Sequence, residues 1–160
     1  MTDVERTLTE IHASFWGEAW HGPAVMEALG GIDAPTAAAY PIPGAHSIWE
    51  QVNHLHYAQA ILIRRLAGEA APWDHSADWP VPHDTSPIAW QQRLETFRQT
   101  QHEMEDAVAR VPESQLHQTA GNGVTFHRML HGHAQHNAYH AGQIMLLRRA
   151  LVIRGIGKGA

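Results

Sequence analysis

The chain contains no cysteine. This excludes disulfides, thiolate metal ligands and a cysteine nucleophile, and it leaves the compartment unreadable from redox chemistry. Long apolar runs are also missing, and none approaches the ~20 residues of a membrane span. The opening residues, Met1-Thr-Asp-Val-Glu-Arg6, lack the basic and then apolar order of a signal peptide, so the expectation is a cytoplasmic protein with no membrane segment. Basic runs are absent too, and the net charge is −5 with histidines neutral, which argues against a nucleic-acid partner. No stretch alternates in the manner of a strand, and no internal repeat is visible. At 160 residues the chain is large enough to bury one core without disulfides. We expect a single domain over residues 1–154 and a short flexible tail over 155–160.

Histidine is what the chain has in excess, with 14 residues. Histidine is the commonest metal ligand and titrates near neutrality. Most of the fourteen have the character of solvated or hydrogen-bonded bystanders, so position has to single out the others.

Four helical segments can be read. The first spans about Thr2 to Leu29, with Val4, Leu8, Ile11, Phe15 and Ala19 at spacings of three and four. Gly22-Pro23 should kink or restart it, and Gly30-Gly31 should end it. Ile32 to Gly44 holds three prolines and reads as a loop. A second helix runs to about Leu66, with Ser47 as N-cap and Glu50 as its capping-box partner. Ala70 to Pro87, rich in proline, aspartate and tryptophan, is long for a bare connection and should pack over something or be functional; Trp73 and Trp79 could cover a site mouth or simply plug the bundle end. The third helix spans about Ser86 to Val111, with Pro87 at its first position and Leu94, Phe97, Gln101, Met104 and Val108 on its inner face. After a loop closed by Gly121-Asn-Gly123, Thr125 caps a fourth helix to about Leu151. Its inward line is Phe126, Leu130, His133, His140, Ile144, Leu147 and Leu151. The class is all-α, a four-helix bundle, in which metal sites form between facing helices.

His136 and His140 are four residues apart on the fourth helix and so project from one face. That spacing lets two imidazoles share one ion, but a site needs at least a third ligand. His54, near the middle of the second helix, is the best donor, because ligands from two helices enclose an ion better than three from one. His133, seven residues before His140, is the competitor, and His56 points away from His54 and serves as control. The pair is not the metalloprotease motif, since Asn137 stands where that motif places its glutamate.

Three stretches carry a family resemblance: Trp20-His-Gly-Pro23, His46-Ser-Ile-Trp-Glu-Gln-Val-Asn-His54-Leu55, and His136-Asn-Ala-Tyr-His140-Ala-Gly-Gln143. On these the chain resembles the DinB/YfiT-like family of metalloenzymes along nearly its whole length. The last two stretches together are fairly specific, and either alone is weak. The resemblance implies an up-down-down-up four-helix bundle, commonly a homodimer. It also implies one divalent metal, usually zinc or nickel, held by three histidines that match His54, His136 and His140. The metal's open position would take water or substrate. Relatives include thiol transferases, a thiol-dependent isomerase and metal-dependent hydrolases, and fold alone does not choose among them.

The resulting expectation is thiol-dependent S-transfer, or related chemistry, on a small electrophile. A metal at such a site lowers the pKa of an external low-molecular-weight thiol. The alternatives are hydrolysis by metal-activated water, a metal-stabilised binding or dimerisation module without catalysis, and a metal-free histidine network. If the first two helices align end to end, Trp20 and His21 fall level with His54, and Trp16 lies one turn away. Trp16, Trp20, His21 and Glu50 are therefore candidates for the substrate pocket. Their plainer roles are core aromatics for the tryptophans, a hydrogen-bonding neighbour for His21 and a helix cap for Glu50. Glu18, Asn137 and Gln143 are weaker candidates, with surface or packing roles the plainer reading.

Overall fold

Each long helix begins where a hydroxyl side chain can take up an unpaired backbone N–H. Thr2 caps α1 (Asp3–Trp16), Ser47 caps α4 (Ile48–Leu66), Ser86 caps α5 (Pro87–Ala109) and Thr125 caps α6 (Phe126–Ile153). Two short helices, α2 (Val25–Ala28) and α3 (Ala34–Ala38), and a 3₁₀ turn over Glu113–Gln115 complete the elements of this computed structural model, which describes residues 1–120 and 123–155. Among the described residues there is no strand, only an isolated bridge between Thr119 and Thr125, and no helix is long and apolar enough to cross a membrane. The fold is all-α. Gly121, Asn122 and residues 156–160 of the expected tail lie outside the described residues.

The first expected helix is shorter than its apolar spacing suggests. It stops at Trp16, where Gly17 adopts φ 155° and donates its N–H to Ala13 O, and Glu18 follows in the left-handed region at φ 65°. A non-glycine residue there cannot continue a right-handed helix. The chain becomes helical again only at Val25, after Pro23, where the Glu27 carboxylate accepts from Ala24 N at 2.8 Å. The Ile32–Gly44 stretch is likewise not all loop. Asp33 accepts from Thr36 N at 3.0 Å and starts α3, with a proline in its first turn. Here local capping outweighed the proline content.

Side chains divide the interior into two apolar clusters. One joins Phe15, the α2 and α3 residues, Ile48, Val52 and Leu55 of α4, Trp90, Leu94 and Phe97 of α5, and Ile144, Leu147 and Leu151 of α6. The other joins Val4, Ile11, Leu62, Met104, Val108, Leu116 and Leu130. Burial of such surface, about 25 cal/mol per Å², drives the packing. Between the clusters lies a buried polar layer to which every long helix contributes: Ser14, Gln59, Gln101 and Asn137. Gln59 Nε2 donates to Gln101 Oε1 at 2.8 Å, and Asn137 Nδ2 donates to Ser14 Oγ at 3.1 Å. Both amides are paired through their nitrogens, while Gln59 Oε1 and Asn137 Oδ1 have no hydrogen-bond partner. The histidines of α4 and α6 sit at this level.

Candidate metal centre

The α4 start that places His54 is a closed capping box: Glu50 N donates to Ser47 Oγ at 3.2 Å, and Ser47 N donates to Glu50 Oε2 at 2.7 Å. Its register sends Gln51, His54, Ala58 and Leu62 to one buried side. On α6 the expected inward line of Phe126, Leu130, His133, His140, Ile144, Leu147 and Leu151 is buried throughout, together with Asn137.

The two helices bring three imidazoles together. His54 Nε2 lies 2.9 Å from His136 Nε2, and His140 Nε2 lies 2.9 Å from the same atom. Among the described residues, this is the group of histidine, aspartate and glutamate donors close enough to hold a metal ion. Burial, then the neighbouring His54, holds His136 down at about 4, with Asp78 pulling the other way. Burial, then His136, His54 and His46, holds His140 at about 3. Both rings are therefore neutral at pH 7, as metal ligands must be.

The outer nitrogens are committed. His54 Nδ1 donates to Asp78 Oδ1 at 2.6 Å, and His140 Nδ1 donates to Gln51 Oε1 at 2.6 Å. Gln51 Nε2 in turn donates to Gln143 Oε1 at 2.8 Å, which leaves Gln51 Oε1 free to accept. With their protons on Nδ1, His54 and His140 present lone pairs to His136 Nε2. One proton there can bridge one of the two contacts, not both, whereas a cation satisfies all three nitrogens. The donor set therefore fits a divalent metal, with the carboxylate–histidine and amide–histidine supports usual for metal ligands.

Aromatic rings from the Ala67–Ser86 loop cover the trio. Trp79 stacks on His54 with centroids 4.0 Å apart and planes 4° from parallel, stacks on His46 at 3.8 Å and meets His140 edge-on at 5.8 Å. Trp73 meets His54 edge-on at 6.0 Å. The long loop thus packs over the site, as its length suggested. His56, two residues from His54, points to α5, where it accepts from Arg93 Nη1 at 3.1 Å and pairs with Thr100 Oγ1 at 3.1 Å. His133 is buried outside the trio, its Nε2 without a hydrogen-bond partner.

The other sequence-nominated residues lie elsewhere. Trp16 Nε1 donates to Glu105 Oε1 at 2.9 Å, and its ring stacks on His102 at 4.7 Å. Trp20 is fully exposed, and with His21 it borders a different groove, lined also by Glu10, Ala13, His131, Gln135 and Ala138. The alignment that set Trp20 and His21 level with His54 assumed a helix continuing past Trp16, and that helix ends there. Glu50 is buried in the capping box, 3.6 Å from His46 Nδ1. Glu18 is exposed. Asn137 supports Ser14, and Gln143 reaches His140 through Gln51. Sequence reasoning missed Asp78 and the partnership of Gln51. Gln51 stands three residues before His54 on the same face, which was the available signal. Asp78, in an irregular loop, had none beyond its place beside Trp79.

A sequence profile described as the DinB superfamily matches residues 19–144. The chain belongs to the DinB superfamily. The matched span holds all three histidines, both of their partners and Trp79, while α1 lies before it. No curated protein and no solved structure matches the chain.

Proposed function

We propose that this DinB-superfamily protein is a metal-dependent enzyme. In this reading Nε2 of His54, His136 and His140 hold one divalent ion, zinc or nickel, and an external low-molecular-weight thiol is transferred to a small electrophile. The carrying observation is the convergence of three imidazole nitrogens whose outer nitrogens are already fixed by Asp78 and Gln51. A bound ion with an open position supplies Lewis acidity, which lowers the pKa of a coordinated thiol or water. The protein's own groups do the rest. Asp78 holds the His54 tautomer and ring orientation, and Gln51 does the same for His140 without adding charge. Trp79 and Trp73 shield the trio from bulk water.

One feature favours thiol transfer over hydrolysis. A thiolate needs no general base, and the carboxylates beside the trio are engaged, Asp78 with His54 and Glu50 in the α4 cap. The chain has no cysteine, so the thiol must come from outside. The four long helices run up-down-down-up in this reading. The support is that one apolar cluster joins the N-terminal halves of α4 and α5 to the C-terminal ends of α1 and α6. A homodimer is proposed on the family resemblance.

The test is cobalt-substituted protein titrated with mercaptoethanol, then assayed for thiol transfer to chlorodinitrobenzene. New sulfur-to-cobalt absorption followed by transfer is expected. A cobalt spectrum indifferent to thiol would identify a saturated, structural metal. Ester or amide cleavage without thiol would make the protein a hydrolase.

A further inference from the structure

We propose that a cavity of about 240 Å³ between α4, α6 and the covering loop binds the body of the substrate, and that Arg65 at its far end pairs with a carboxylate on that substrate. The reacting end of the molecule is assigned from the metal reading above; the cavity's preference for an anion does not depend on it.

His136 belongs both to the histidine trio and to the cavity wall. From there α4 presents Ala58, Ile61, Leu62 and Arg65, which continue the His54 face at helical spacing. Apart from the histidines and Arg65 the walls are apolar or aromatic, and no carboxylate lines them. An apolar cleft with one placed charge is the usual form of a small-molecule site. The volume, about 240 Å³, lies just below the roughly 300–1,000 Å³ of drug-sized sites and suits a small ligand.

Arg65 is free to act. Its Nε donates to Ala71 O at 2.9 Å, which anchors the head beside the loop that carries Trp73. No carboxylate forms an ion pair with its guanidinium among the described residues, whereas the adjacent Arg64 is paired with Glu69 at 2.7 Å. A planar guanidinium held at one nitrogen keeps a fork of donors that matches a carboxylate. Eleven residues separate His54 from Arg65, about 16 Å of helix, and long helical side chains lean towards the N-terminus. The anionic and reacting ends of the ligand are therefore on the order of 10 Å apart. The His133 ring lies in the same wall with Nε2 unpaired, a polar group that no protein atom satisfies.

Gly132 provides a steric control. It lines the cavity, and a Cβ built there meets nothing within 4 Å, so a side chain can start from this position without moving the backbone.

The test is calorimetric titration of the purified full chain, its metal content recorded, with octanoate and with octanol. Wild type should prefer octanoate by about tenfold or more, as a charged hydrogen bond supplies. Arg65→Gln should erase that preference while keeping octanol affinity, and Gly132→Leu should weaken both ligands. Equal affinities in wild type, or a preference that survives Arg65→Gln, would overturn the proposal. On cobalt-loaded protein, mercaptohexanoate should perturb the metal spectrum at lower concentration than mercaptohexanol, with the difference lost in Arg65→Gln. An Arg65-dependent octanoate preference in protein that binds no metal would leave this inference standing and remove the metal reading. Thiols that perturb cobalt equally, whatever stands at position 65, would do the reverse.

Discussion

The Asp78 carboxylate meets His54 Nδ1 at 2.6 Å, so a residue from an irregular loop sets the tautomer of a histidine on α4. The loop and the helix act as one unit at this point. Replacing Asp78 with Ala should weaken metal binding by about 10- to 100-fold, the usual cost of losing such a support. The helical fold should remain. Competition with a chelator measures the first and far-ultraviolet circular dichroism the second. Unchanged affinity would mean that the contact orients nothing.

Gln51 stands to His140 as Asp78 does to His54, but without charge. Gln51→Leu should cost about tenfold in metal affinity. Gln51→Glu should restore it, because a carboxylate accepts the same Nδ1 proton. The pair of variants separates hydrogen bonding from packing, since leucine and glutamate are of similar size. Equal loss in both would assign the effect to packing.

Trp79 lies between the His46 and His54 rings. Trp79→Ala should accelerate metal removal by a chelator several-fold, while the equilibrium stoichiometry stays the same, because it opens a path for water without removing a donor. Stopped-flow chelation follows this directly. A rate equal to that of wild type would show that the ring does not guard the site.

Acid should destabilise the metal-free fold through its buried histidines. Burial lowers His133 to about 3, His56 to about 4, His136 to about 4 and His140 to about 3, all below the unfolded value near 6.5. Between these values the unfolded chain binds more protons than the folded one, so stability rises with pH in that window. The contribution is therefore whole above about pH 6.5 and is lost as pH falls towards 4 and then 3. Denaturant midpoints at pH 7.5 and pH 5 should differ, with the lower value at pH 5. Equal midpoints would mean that these rings charge freely in the folded state.

Much of the fold was legible because its signals are local. Ser47 with Glu50, Ser86 with Pro87, and Thr125 mark three helix starts by side-chain chemistry that operates within one turn. The inner face of α6 followed from periodicity alone. The end of α1 was not legible, because Ala19 continued the apolar spacing across Gly17 and Glu18, whose backbone angles break the helix. The end of α1 at Trp16 therefore leaves Trp20 and His21 bordering a groove with Glu10, His131 and Gln135, separate from the histidine trio. The histidine trio could be proposed from spacing on two helices. Asp78 could not, since a loop residue's partner is set by the path of the whole loop, and no period encodes it.

The central claim is that His54, His136 and His140 hold one divalent metal. The measurement is metal content of protein purified without a histidine tag, for wild type and for His54→Ala, His136→Ala, His140→Ala and His56→Ala. The account predicts close to one ion per chain in wild type and His56→Ala, and loss in the other three. Equal, low metal in all five would contradict it and leave a histidine-rich helical protein with an unliganded trio.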